Sequence, residues 1–196
     1  THQNKFSQSV TLNANQWQNE KGFKKLLSYF YNQTSFIMDR KIIRKSGNFD
    51  LNPFFGNDDD LLGLNSSFRN SLFYNRGKQD HSITYTFLTN RAKNLLSVGS
   101  QENTSSSHQI QYAHLIQKSW LVGFNGKTIR SNTYSQNYAS RNFELSGYQL
   151  APKISYLFSK NASWDLFYEY QMKDNKIADF EKLNQQRVGT SFSYAS

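Results

Sequence analysis

Two carboxylates, Asp165 and Glu169, stand four residues apart in the run WDLFYEY (164–170). Four histidines, His2, His81, His108 and His114, complete the set of groups suited to acid–base or metal chemistry. Spacing decides what they can do. On one face of a strand, four residues span roughly 13 Å, whereas the carboxyl pair of a glycoside hydrolase stands at about 5–10 Å. Asp165 and Glu169 alone therefore make no catalytic pair. His108 and His114 share a strand face but lie roughly 20 Å apart along it, too far to ligate one metal without other partners. The run Asn57-Asp58-Asp59-Asp60 offers hard oxygens suited to Ca²⁺. It lacks the alternating ligand spacing and terminal Glu of an EF-hand loop and reads as a solvated acidic turn. The chain has no cysteine, hence no thiolate ligand, disulfide or cysteine nucleophile. Nor does it carry a nucleophile elbow, P-loop, dinucleotide fingerprint or zinc motif. The expectation is a non-enzymatic protein, with no catalytic residue, metal site or cofactor.

The elements that hold these residues are more informative. In KISYLFSKNASWDLFYEYQMK (153–173), Ile154, Tyr156 and Phe158 alternate with Lys153, Ser155 and Ser159. After the polar break at 160–162, Trp164, Leu166, Tyr168, Tyr170 and Met172 alternate with Asp165, Glu169, Gln171 and Lys173. Side chains alternate between the two faces of a strand, so the stretch reads as a hairpin with one aromatic and one polar face. The rhythm recurs. Phe6, Val10 and Leu12 mark a strand within 5–18, and 35–44 reads as another with a basic end. Residues 23–31 fit either a helix face or a strand and are read as strand. Leu64, Phe68, Leu72 and Tyr74 lead through a turn at 75–78 to Ile83, Tyr85 and Phe87. Residues 91–107 are polar and Ser-rich and read as a loop with a frayed strand end. Ile110, Tyr112, His114 and Ile116 follow, then Trp120, Val122 and Phe124, and finally Val188, Thr190, Phe192 and Tyr194. Residues 131–140 read as a polar stretch and 175–184 as a charged connector.

The composition agrees. Only 37% of the 196 residues are apolar and 16% are aromatic, an unlikely balance for a helix bundle or a doubly wound α/β enzyme. No apolar run is long enough for a transmembrane helix. The formal charge of +9 is dispersed apart from Arg40, Lys41, Arg44 and Lys45. Basic and aromatic residues interleave over 153–158, but Asp165 and Glu169 on the adjoining strand spoil a continuous groove, so a nucleic-acid partner is not expected. The chain begins at Thr1 and shows no signal peptide, which reads as a processed protein or a piece of a larger one.

The fold expected is all-β: one antiparallel up-and-down meander of about ten strands over 1–196, with 46–60 as a long loop insertion. Two architectures cover the apolar face of such a sheet. An outer-membrane-type barrel, whole or partial, turns it to lipid and keeps a wet lumen. A soluble open sheet, half-barrel or sandwich turns it inward or against a bound lipid or glycan. Charged residues on the opposing face (Arg69, Lys153, Asp165, Glu169, Arg187), aromatics near strand ends and strands of roughly 9–13 residues favour the barrel. Ser66, Asn70 and His114, on the supposed lipid face, speak against it. The membrane- or ligand-facing aromatics are Trp120, Tyr156, Trp164, Tyr168 and Tyr170. The candidate partner contacts are Phe54, Phe55, Asp58, Asp59 and Asp60 in the long loop.

The segments SFRNSLFYNRGK (67–78), HSITYTF (81–87) and APKISYLFSKNASWDLFYEYQMKDNK (151–176) resemble the C-terminal, β-rich regions of large cell-envelope proteins of the Bacteroidota. The resemblance implies a bacterial outer-membrane location, or alternatively the periplasm or cell surface, with the bilayer and other envelope proteins as partners. It implies no catalytic residues. The ending Tyr194-Ala195-Ser196 departs from the terminal aromatic of barrel proteins, as expected of an internal fragment.

Overall fold

The computed structural model describes residues 2–43, 61–75, 80–96, 99–138, 140, 142–159, 161–175 and 182–194. They form nine strands: β1 (His2–Asn13), β2 (Phe30–Ile42), β3 (Leu61–Tyr74), β4 (His81–Leu96), β5 (Gly99–Ile116), β6 (Trp120–Ser135), β7 (Phe143–Leu157), β8 (Ala162–Asn175) and β9 (Lys182–Tyr194). The strands follow sequence order in one antiparallel sheet, β1 to β9, each paired with its chain neighbours. The expected all-β meander is the fold. β1 and β9 have one neighbour each, so the sheet is open and not closed into a barrel.

The connections fall at two ends. At one, here the turn end, lie 14–29, 75–80, 117–119 and 158–161; at the loop end lie 43–60, 97–98, 136–142 and 176–181. Between β5 and β6 the turn holds Gln117 and Lys118, both in the left-handed region (φ 51° and 60°), with the Ser119 amide donating to the Ile116 carbonyl at 3.2 Å. Two successive positive φ angles give a turn whose twist matches that of the flanking strands. The 14–29 connection holds a 3₁₀ turn at Asn15–Trp17 and a single-turn helix, α1, at Phe23–Leu27. Residues 23–27 are thus helical where strand was expected: Phe23, Leu26 and Leu27 follow a helical spacing, and strand pairing begins only at Phe30.

Three other expectations are corrected. Residues 91–107 are not a loop, since β4 runs on to Leu96 and β5 starts at Gly99. β6 extends to Ser135, through most of the stretch read as polar and irregular. Strands span 12 to 18 residues, longer than the 9–13 expected. Over 99–107 of β5 and most of 131–135 of β6 the strand is polar on both faces. Alternation of apolar and polar residues, the signal for a strand, is absent there, and backbone pairing carries the structure instead.

Among the described residues no second layer covers the sheet. Among the described residues the buried apolar side chains are Met38 and Leu61 alone. Stability along the strands must come from ladder hydrogen bonds and cross-strand side-chain pairs. β7 carries Pro152 inside the sheet; the Leu150–Tyr170 and Lys153–Phe167 pairings flank the point where proline has no N–H to give. At the β8–β9 ladder Phe167 lies directly over Gly189, filling the space that a side chain there would need, and the Arg187 guanidinium stacks on the same ring at 5.5 Å. Glycine at 189 is thus set by the ring opposite. Gly189→Val is expected to lower stability by about 1–3 kcal/mol through overpacking. Combining it with Phe167→Ala should recover much of that loss in denaturant unfolding, whereas strictly additive losses would show that the two positions do not meet.

Candidate functional site

The register sorts every described strand residue onto one of two faces. On the first, Tyr74, Ile83, Tyr112 and Phe124 are successive cross-strand partners, and the row continues through Pro152, Tyr168 and Val188. The row nearest the turn end is Ile116, Trp120, Tyr156, Trp164 and Phe192. Toward the loop end come Leu72, Tyr85, Ile110, Gly126, Leu150 and Tyr170, then Asn70, Phe87, His108, Thr128, Tyr148 and Met172. Beyond them the same face turns polar from β4 to β9: Thr89, Ser106, Arg130, Ser146, Asp174 and Lys182 form one row, and Arg91, Thr104, Asn132 and Glu144 the next, whereas on β2 and β3 these rows still hold Phe36, Phe68 and Met38. An Arg91–Glu102 ion pair, 2.6 Å, lies in this zone.

This face is therefore tiered, an apolar band at the turn end and a charged zone at the loop end. From Tyr156 to Tyr148 along β7, the band extends roughly 25 Å at a strand rise of about 3.3 Å per residue. Aromatic pairs mark both borders. Trp120 and Tyr156 have ring centroids 4.7 Å apart at the turn end, while Tyr148 and Tyr170 (5.5 Å) and Phe87 and His108 (4.8 Å) lie toward the loop end. The band is uncovered: Val188 is 71% exposed, Phe192 65%, Leu166 42% and Trp120 41%.

The second face is mostly polar, with apolar side chains such as Phe73, Leu88, Ile129 and Phe167 among the polar ones. Lys153 donates to Asp165 at 2.9 Å, and Gln149 donates to Glu169 at 2.6 Å. Gln109 donates to Asn125 at 2.9 Å, Thr133 to Asn103 at 2.8 Å, and Lys5 faces Asp39 at 3.7 Å. Arg69, Lys127 and Arg187 stand on it with Ser, Thr and Gly. Asp165 and Glu169 share this face, as their spacing requires, and each is held by a different partner.

The five aromatics singled out in the sequence all lie on the first face, within the band. Trp120, Tyr156 and Trp164 sit together in its turn-end row; Tyr168 lies in mid-band and Tyr170 toward its loop-end border. Trp120, Trp164 and Tyr168 are exposed, Tyr156 and Tyr170 half-buried among neighbouring rings. Phe54, Phe55, Asp58, Asp59 and Asp60 lie outside the described residues.

The three residues that spoke against a uniform apolar face are each placed by the tiering. Ser66 falls in the polar zone, opposite Arg91. His114 lies in the row next to the turn-end border, its Nδ1 2.8 Å from the Tyr112 hydroxyl and its ring 6.1 Å from that of His81. Asn70, like His114, lies within the band, in its loop-end row, and it donates to Thr34 at 2.7 Å and exchanges contacts with Asn32 at 3.3 Å. Polar groups so paired shed much of the cost of leaving water. The polar half of this face, and its Arg91–Glu102 pair, escaped the sequence reading because each residue looked like a loop residue until register placed it in a row.

No protein-family model matches the chain, and no curated protein matches it. Among the described residues no cluster of His, Asp or Glu could hold a metal ion. No helix of the described chain is long and apolar enough to cross a membrane, which says nothing of strands.

The aromatic row can be tested as an energetic unit. Trp120→Ala and Tyr156→Ala should couple by about 0.5–1.5 kcal/mol in a double-mutant cycle on unfolding. A coupling near zero would mean that the two rings do not pack together.

Proposed function

We propose that this chain forms wall of an outer-membrane-type β-barrel, whole or partial, acting as an envelope scaffold or conduit and not as an enzyme. The bacterial outer membrane is its proposed location, and lipid is the proposed contact of the apolar band. One observation carries the reading: an uncovered apolar band, aromatic at both borders, backed by a mostly polar face, with no second layer among the described residues. Leaving a Leu, Ile or Phe in water forgoes about 1.5–3 kcal/mol per side chain, so a face of this kind requires a cover. A bilayer supplies one without a second layer of protein, and barrels in membranes carry an outward band about 25 Å tall between aromatic girdles. The polar face then borders a lumen, where Lys153, Asp165 and Arg187 stay hydrated. The resemblance of 67–78, 81–87 and 151–176 to Bacteroidota cell-envelope proteins supports the same location.

The rival reading is a soluble β protein that keeps a lipid or glycan against the aromatic band. Phe124 and Asn125 separate the two, being consecutive in β6 and on opposite faces. In protein folded into phospholipid bilayers, Phe124→Arg should cost about 2–4 kcal/mol, as for a cation placed at mid-bilayer. Asn125→Arg, toward the lumen, should cost less than about 1 kcal/mol, the loss of one exposed-face hydrogen bond. Tryptophan emission should also be quenched by brominated acyl chains. A chain that stays monodisperse in buffer without detergent, unquenched by such lipids, would overturn the membrane reading in favour of the rival.

A further inference from the structure

Beneath the 14–29 connection, at the turn end of β2 and β3, lies a cavity of about 540 Å³ lined by Asn15, Gln18, Asn19, Ser28, Tyr29, Phe30, Tyr31 and Asn75. Its size falls within the ordinary range for small-ligand sites, about 300–1,000 Å³. Four carboxamides and a hydroxyl meet there with three aromatic residues, and none of the described residues lining it is charged. Asn75 is the anchor. It is 6% exposed, sits in the left-handed region at φ 53°, and is fixed by its amide N–H donating to the Tyr29 carbonyl at 2.9 Å. Its side-chain nitrogen lies 2.8 Å from Nε2 of His81. Its side-chain oxygen is buried and has no hydrogen-bond partner. Exchanging the two ends of the amide would leave the nitrogen orphaned instead, so one polar atom stays unmatched either way. A buried amide group without a partner costs about 1–3 kcal/mol, and this one belongs to a residue that lines the cavity.

We infer that this cavity is a binding site for a neutral, polyhydroxylated ligand, a short glycan, with the Asn75 amide as its buried contact. Carboxamides both donate and accept, which matches sugar hydroxyls that do the same. Tyr29 and Tyr31 supply ring surface for the apolar face of a pyranose. A peptide is the less suited ligand: β2 is already paired with β1 and β3, so no strand edge is open for it to extend. The site lies at the sheet's end and stands whether the apolar band meets lipid or not.

The test is a titration of the folded chain, in a detergent without a sugar headgroup, with cellobiose and N,N′-diacetylchitobiose. Inorganic phosphate and dialanine serve as comparators, and binding is read by the amide chemical shifts of Asn15, Gln18 and Asn19. Saturable binding of at least one disaccharide is expected, with Kd of about 0.1–10 mM. Asn75→Gly keeps the backbone free to hold its positive φ and should weaken binding about tenfold, the worth of one good hydrogen bond. Gln18→Ala, on an exposed residue, is a second variant that leaves the fold intact and should weaken binding less. Absence of saturable sugar binding, preference for phosphate or dialanine, or unchanged affinity in both variants would each overturn the inference.

Discussion

A single sheet cannot bury either of its faces by itself, and that constraint governs everything else in this chain. The backbone is satisfied strand to strand from β1 to β9. The side chains are not: below Met38 and Leu61 in the ranking of burial, every large apolar residue described keeps some contact with its surroundings. A domain of this length ordinarily buries well over half of the surface its unfolded chain exposes. Here the usual driving force for folding is still unspent on one face, and the chemistry of that face states what kind of cover it needs.

Tiering refines the requirement. Were the whole face apolar, any hydrophobic partner would do. Instead, from β4 to β9, the apolar rows stop at the line through Phe87, His108, Thr128, Tyr148 and Met172, and charged residues begin one row later at Arg130, Asp174 and Lys182; on β2 and β3 the apolar residues run one row further, to Phe36 and Phe68. A cover of bounded thickness is implied, with water resuming beyond it. The same division explains the length of the strands. About 9–11 residues suffice to cross a hydrocarbon layer at the usual tilt; β5, at 18 residues, continues into the polar zone with Glu102 and Thr104 where its apolar partners end.

Much of this was legible in the sequence, and what was not has a physical cause. Alternation placed Trp120, Tyr156, Trp164, Tyr168 and Tyr170 on one face correctly, because a period of two admits only two assignments and the polar partners Lys153, Asp165 and Glu169 fixed which was which. Where both faces are polar, as over 99–107 and most of 131–135, the period carries little contrast, and strand was read as irregular chain. The short helix at Phe23–Leu27 lies below the length at which helical periodicity can be separated from alternation. The amide cavity was beyond reach altogether. Asn15, Gln18, Asn19 and Asn75 are common turn residues, and only the pairing of β2 with β3 brings a residue sixty positions away beneath the first connection.

The open edges impose the last condition. β1 and β9 are both odd in a strictly alternating sheet, so both run from the loop end to the turn end. Joined directly they would pair in parallel; closing the ring with antiparallel pairs alone needs an odd number of further strands, running turn end to loop end beside each edge. Neither edge is blunted in the usual ways. β1 and β9 are 12 and 13 residues long, carry no proline, and hold few charges beyond Lys5, Lys182 and Arg187. Bare N–H and C=O groups along such edges are tolerable in water and costly in hydrocarbon. If the apolar band meets lipid, both edges must be paired there, and the strand that pairs β9 must itself alternate, with its apolar residues level with Val188 and Phe192 and its polar ones level with Arg187 and Ser191. That sequence pattern, wherever it is supplied from, follows from register alone.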